Sequence, residues 1–183
     1  TGAATVSGLT GDTVNASGTG AGQFADKNVG TGKGVTVTGY TLTGTDAGNY
    51  NVLQPTGLTA DITKADLQVT GISAQSKVYD STITATLTGA AAVTGLGSDT
   101  VSATGVGVGQ FADKNAGMGK AVTVTGYTLT GGDAGNYNVL QPTGVTADIT
   151  KADLQVTGVS AQNKVYDATT TATLTGAATV SGL

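Results

Sequence analysis

The 183 residues include no cysteine, histidine, tryptophan, arginine or glutamate. Without cysteine there is no disulfide framework, no thiolate metal site and no thiol nucleophile. Without histidine, the commonest general base and transition-metal ligand is missing. Without glutamate, no EF-hand loop can place its bidentate carboxylate. These absences argue against an enzyme. Positive charge is scarce: eight lysines face twelve aspartates, for a net charge of -4 and an isoelectric point near 4.4. Nucleic-acid binding needs clustered cations, so no nucleic-acid partner is expected, and an anionic membrane surface is disfavoured. No apolar run approaches the roughly 18 residues of a membrane helix, and no signal peptide is recognisable. The segment is therefore expected to be mature or internal, with no membrane insertion. Aromatic residues make up only 4%, so any core must rest on small aliphatic side chains.

Threonine, valine, alanine and glycine fill the chain instead. β-Branched side chains suit a pleated, half-buried surface, and thirty glycines provide turns and bulges. The main feature is a repeat. Phe24, Tyr40, Tyr50, Pro55 and Tyr79 recur as Phe111, Tyr127, Tyr137, Pro142 and Tyr166, each displaced by 87 positions. Residues 1–87 align with 88–174 without a gap and with 70 identities, and the last nine residues repeat the first nine letter for letter. A period of 87 is too long for a solenoid rung and long enough for a small domain.

Local pattern sets the phase. Leu58, Ala60 and Ile62 alternate as one strand, and Leu67 and Val69 as another, out of step with the first; Thr63–Asp66 is the polar join. The expected division is a complete domain at 65–151, a domain lacking its first strands at 1–64, and the first strands of a third at 152–183. Period-two alternation is widespread, as in Ile83, Ala85 and Leu87, and helical periodicity is nearly absent. Val35 and Val37 point one way, and Tyr40 and Leu42 continue the apolar face after a break at Gly39. Such a glycine marks a bulge or a strand crossing between sheets. DAGNY can hold one helical turn. The expected class is all-β: small β-sandwich or β-grasp-like domains, five to eight strands each, joined head to tail in a rod with almost no helix.

Several motifs carry the residue types of binding or reactive sites. Asp46, Asn49 and Asn51, with Asp133, Asn136 and Asn138, carry oxygens that suit calcium as a cofactor; an Asx-type turn explains them more simply. Asp26, Lys27 and Asn28 have the residue types of a Lys–Asn isopeptide bond, as do Lys64 or Lys77 with a distant asparagine. A surface turn is the simpler reading. Gly30, Gly32, Lys33 and Gly34 fail the phosphate-loop spacing. Asn15-Ala16-Ser17 is a glycosylation sequon that the second copy lacks. Tyr40, Tyr50, Tyr127 and Tyr137 are either core residues or an exposed sugar-binding patch. Phe24, Tyr40 and Tyr50 are expected in the core, and Tyr79 and Tyr166 are expected to bond backbone near the join.

KVYD at Lys77 and Lys164, FADKN at Phe24 and Phe111, DAGNYN at Asp46 and Asp133, and ADITKADL at Ala60 and Ala147 together resemble the YDG-type repeat domains. These occur in tandem in large bacterial surface proteins of the filamentous-haemagglutinin and two-partner-secretion kind. Where the usual motif has glycine after Tyr-Asp, Ser81 and Ala168 stand here. The resemblance implies an extracellular, β-rich stalk of an adhesin or biofilm-matrix protein and brings no ligand or catalytic residue with it. The expected partners are neighbouring repeats of the same chain, matrix polysaccharide, or other copies of the chain pairing by strand complementation into a filament.

Overall fold

The computed structural model describes residues 3–181. The first copy forms β1 (Asn15–Ser17), β2 (Ala21–Phe24), β3 (Gly30–Thr38), β4 (Thr41–Thr43) and β5 (Thr59–Ile62). The second begins with β6 (Ala65–Gln68), β7 (Thr70–Ala74), β8 (Lys77–Val78), β9 (Thr84–Ala85) and β10 (Leu87–Ala92). It continues with β11 (Ser102–Thr104), β12 (Val108–Phe111), β13 (Gly117–Thr125), β14 (Thr128–Thr130), β15 (Tyr137–Leu140) and β16 (Thr146–Thr150). The remaining segment holds β17 (Gln155–Thr157), β18 (Ser160–Ala161), β19 (Leu174–Thr175) and β20 (Thr179–Ser181). The fold is all-β. Among the described residues, helix is limited to one 3-10 turn per copy, Ala47–Asn49 and Ala134–Asn136, at the DAGNY motif.

The strands are shorter and more numerous than the alternation implies: 65–151 holds eleven. Paired glycines cut them. Gly18 and Gly39 both have positive φ, and a Cβ on either would lie 2.4 Å from a backbone carbonyl, that of Gly39 and of Thr19 respectively. Only glycine tolerates both the conformation and the approach. At this point two neighbouring strands change sheets together. β2 and β3 belong to a three-stranded sheet in the order β2-β3-β5, whereas β1 and β4 pair only with each other. The parity switch at Gly39 is thus a crossing between sheets.

The chain divides into two compact units. One contains the chain up to Gln68 with Ala92–Thr104 and Thr128–Leu140; the other contains Val69–Ala91, Gly105–Tyr127 and the chain from Gln141. The units cut across the 87-residue copies, since the second copy contributes to both. The first unit holds β1-β4, β2-β3-β5, the antiparallel pair β11-β14 and the parallel pair β6-β15. The second holds the largest sheet, β8-β16-β13-β12-β9, with β8 parallel to β16, and the pairs β7-β10, β17-β20 and β18-β19.

The core follows the alternation of this largest sheet. Phe111 is registered against Val122 across β12 and β13, and Gly109 lies opposite both Val124 and Ala85. Phe111, Val122, Val124, Ala147, Ile149 and Ala85 are all buried. In the first copy the same residues sit in the three-stranded sheet, where among the described residues no strand stands in the places of β8 and β9. Phe24 is 39% exposed there, against 2% for Phe111. Tyr40 and Tyr50 are half-buried, whereas Tyr127 and Tyr137 are buried. The expected core of Phe24, Tyr40 and Tyr50 is therefore complete only in the second copy. Conversely, Leu67 and Val69 are 7% and 1% exposed, and their counterparts Leu154 and Val156 are 56% and 55% exposed.

Candidate functional site: a plug and a socket between copies

Within the first unit, the FADKN turn of the first copy meets the DAGNY turn of the second. Local chemistry shapes the turn. Asp26 Oδ1 accepts from Asn28 N at 2.8 Å and from Lys33 Nζ at 2.5 Å. Both bonds hold the Asp26 carboxyl below its usual range, the Lys33 ammonium contributing most. The turn projects Lys27, whose side chain is 59% exposed.

The receiving side is built from three parts of the second copy. The 3-10 turn at Ala134–Asn136 is fixed to the loop before β11 by Asp133, which accepts Thr100 N on Oδ2 at 2.9 Å. Tyr137 follows in β15. Its hydroxyl accepts Leu96 N at 2.9 Å and donates to Asp99 Oδ2 at 2.7 Å. Each aspartate thus uses one oxygen on its own copy and turns the other outwards. Lys27 Nζ donates to Asp99 Oδ1 and lies 3.1 Å from Asp133 Oδ1. Two hydrogen bonds accompany the ion pair: Val29 N donates to Asn136 Oδ1 at 2.9 Å, and Asn136 Nδ2 donates to Asn28 Oδ1 at 3.2 Å. A cleft of 440 Å³ lies alongside, lined in part by Lys27, Val29, Ile62, Leu96, Asp99 and Tyr137.

The charges are mutually reinforcing. Lys27, then the Tyr137 hydroxyl, pulls Asp99 below the usual carboxylate range. The amide of Thr100, then Lys27, does the same for Asp133. The two carboxylates raise Lys27, Asp99 foremost. The bond that the Tyr137 hydroxyl donates to Asp99 raises the pKa of the phenol.

Asp133 and Asn136 come together at the socket, where their side chains bind Lys27, Asn28 and Val29. Asn138 lies in β15 and bonds Asp66 across the parallel pair at 3.0 Å. In the first copy, Asp46 Oδ2 holds Thr13 N and Thr45 Oγ1, while Asn49 and Asn51 are exposed. Among the described residues no group of three or more carboxylates gathers as a metal cage. Tyr127 and Tyr137 are buried, so the four tyrosines make no continuous exposed patch. The tyrosine hydroxyl bonded to backbone is that of Tyr50 and Tyr137, and Tyr166 is 90% exposed. Lys27 meets aspartates, and Asn28 meets Asn136; that is an ion pair and a hydrogen bond between neighbours.

The KVYD motif has a different job, within the second unit. Lys77 Nζ binds Asp80 Oδ1 at 2.8 Å and both Thr82 O and Oγ1 at 2.9 Å. It also lies 5.5 Å from the centre of the Phe111 ring, a cation–π distance. The tight loop this closes forces the next residue into the left-handed region, with φ of 65° at Ser81 and 58° at Ala168. That is the position at which Tyr-Asp-Gly sequences carry glycine, and the backbone explains why. The YDG domain profile matches residues 1–57 and 63–146. The chain belongs to the YDG domain family. No curated protein and no solved structure matches the chain.

Sequence reasoning passed over Asp12 and Asp99. Each is a lone aspartate after a glycine-rich stretch, and the Lys27–Asp99 contact spans 72 residues. The available signal was their recurrence at the 87-residue offset among positions that otherwise vary.

Proposed function

We propose that these YDG repeats are the stalk of a secreted bacterial adhesin or biofilm-matrix protein. They act outside the cell as spacers that extend a distal binding region and perform no catalysis. The observation that carries this reading is that polar residues present in both copies are used to hold one copy to the next. Lys27 and Asn28 recur as Lys114 and Asn115, and Asp99, Asp133 and Asn136 have the counterparts Asp12, Asp46 and Asn49. A catalytic or recognition protein needs one good site, whereas a spacer gains length by copying a unit with its joint. The acidic, threonine-rich surface suits solubility. An avidity-based sugar binder would repeat an exposed aromatic platform, and the burial of Tyr127 and Tyr137 beside half-buried Tyr40 and Tyr50 supports the stalk over it. The test is titration of the chain against a panel of glycans and matrix polysaccharides. The stalk reading expects no binding up to high micromolar concentration. Binding that is lost on Tyr40→Ala or Tyr50→Ala would replace it with the sugar-binding reading.

A further inference from the structure

The pairs β6-β15 and β8-β16 are parallel, and each ties the start of the complete copy to its end. In the first unit, β6 pairs with β15 over four residues, from Ala65 opposite Tyr137 to Gln68 opposite Leu140. In the second unit, β8 pairs with β16, Lys77 opposite Ile149 and Val78 opposite Thr150. Further bonds reinforce both. Asn138 Nδ2 donates to Asp66 Oδ1 at 3.0 Å, and Gln68 Nε2 donates to the Leu140 carbonyl at 3.4 Å. In the other pair Asp148 N donates to Ser76 Oγ at 2.9 Å, and Tyr79 N donates to the Thr150 carbonyl at 2.8 Å. Leu67 and Tyr137 in one pair and Ile149 in the other are buried, and hydrogen bonds are stronger where water is excluded.

The direction of a pull decides what such a pair resists. Tension along the chain enters the copy at Ala65, the first residue of β6, and leaves after Thr150, the last of β16. It draws β6 backwards and β15 forwards along their common direction, and likewise β8 and β16. In a parallel pair the pulled ends lie at opposite ends of the ladder, so all its bonds are loaded at once and the strands must slide. An antiparallel pair sets the pulled ends side by side. Gly117 stands opposite Ile149 at the loaded end of β13-β16, and that pair peels one bond at a time. The two parallel pairs also interleave along the chain, in the order β6, β8, β15, β16. Either alone keeps the copy closed, and both must slide before the 79–148 segment extends.

We propose that β6-β15 and β8-β16 form a double shear clamp, a load-bearing device by which the complete copy resists tension along the chain. The clamp rests on the stalk reading for its purpose, since a spacer is pulled from both ends. The two are tested apart: glycan titration tests the stalk, and pulling tests the strand pairs.

The chain has no cysteine, so two introduced cysteines give unique attachment points for DNA handles in optical tweezers. In the full chain carrying Lys64→Cys and Lys151→Cys, the handles flank the copy and load both pairs in shear. In the full chain carrying Gln75→Cys and Thr143→Cys, they lie after β6 and β15 and before β8 and β16. The same ladders are then peeled, β6-β15 from Gln68 and Leu140 and β8-β16 from Lys77 and Ile149. All four substituted positions are exposed, so both variants should fold, which circular dichroism checks. Forced opening is governed by the unfolding rate. Peeling advances the ends by about 7 Å per paired residue, whereas sliding breaks the ladder within about 1 Å of stretch. The expected opening force is therefore at least about twofold higher in the shear geometry, followed by an extension on the order of 240 Å as 79–148 is released. Three results would each overturn the proposal: equal opening forces in the two geometries, a higher force on peeling, or gradual lengthening without a force peak when the copy is pulled from Lys64→Cys and Lys151→Cys.

Discussion

Phe24 and Phe111 occupy the same place in the repeat, yet one is 39% exposed and the other 2%. Truncating each to alanine asks what the extra strands β8 and β9 contribute. A phenylalanine side chain presents roughly 175 Å², and at about 25 cal/mol per Å² its full burial is worth on the order of 4 kcal/mol. Phe111 realises nearly all of that; Phe24 forgoes more than a third, a difference of about 1.5 kcal/mol. Phe111→Ala also leaves a hole beside Val122 in the buried face of the largest sheet, so its expected cost is about 3–5 kcal/mol. At the open edge of the three-stranded sheet, the surroundings of Phe24 are free to collapse, and the expected cost is about 1–2 kcal/mol. Amide hydrogen exchange, read separately over β2–β3 and β12–β13, assigns each loss to its copy, and urea midpoints give the total. Phe111→Ala should deprotect β12–β13 and leave β2–β3 little changed. Losses equal to within about 0.5 kcal/mol, or a larger loss at Phe24, would refute the link between the added strands and burial.

Four further outcomes follow from particular contacts. Asp80 is pulled down to about 2 by the Lys77 ammonium, then by the amide and hydroxyl of Thr82. A depressed folded value contributes stability above the unfolded pKa near about 3.9 and loses it as pH falls towards about 2. Because Asp26, Asp99, Asp113 and Asp133 shift the same way, the urea midpoint should drop only below about pH 4. A drop between pH 7 and 5 would contradict this, and Asp80→Asn should flatten part of the slope. Ser81→Gly should raise stability by up to about 1 kcal/mol, because the left-handed strain relieved slightly exceeds glycine's entropy cost; a melting temperature lowered by the change would count against it. Gly39→Ala should cost more than about 2 kcal/mol, since its Cβ would meet Thr19 O at 2.4 Å at a φ of +94° and strain and clash add; a neutral melt would refute the crossing role. Millimolar calcium should leave the melting temperature unchanged, because Asp133, Asn136 and Asn138 already use their side chains on protein partners; a clear upward shift would restore the calcium reading.

Much was legible in the sequence because the determining pattern is local. Alternating threonine and valine required strands, DAGNY its single turn, and Gly39 a break in the alternation. The repeat itself needed no structure. What stayed hidden depends on chain segments far apart in sequence. Whether Phe24 or Phe111 is core cannot be read from FADKN, which is identical in both copies; it is decided by whether β8 and β9 lie beside the sheet. Lys27 looked like a surface turn, which it is, but its two aspartate partners lie 72 and 106 positions away, beyond the reach of any spacing rule.

The sequence alone therefore determined an acidic, all-β, repeating chain without cysteine, histidine or glutamate, because composition and period act residue by residue. Tertiary structure decided which copy of each apolar residue is dry, why a glycine position follows Tyr-Asp, and which carboxylates face a lysine. These are properties of juxtaposition: burial and ion pairing depend on what the folded backbone brings within a few ångströms, and identical words in the two copies meet different neighbours.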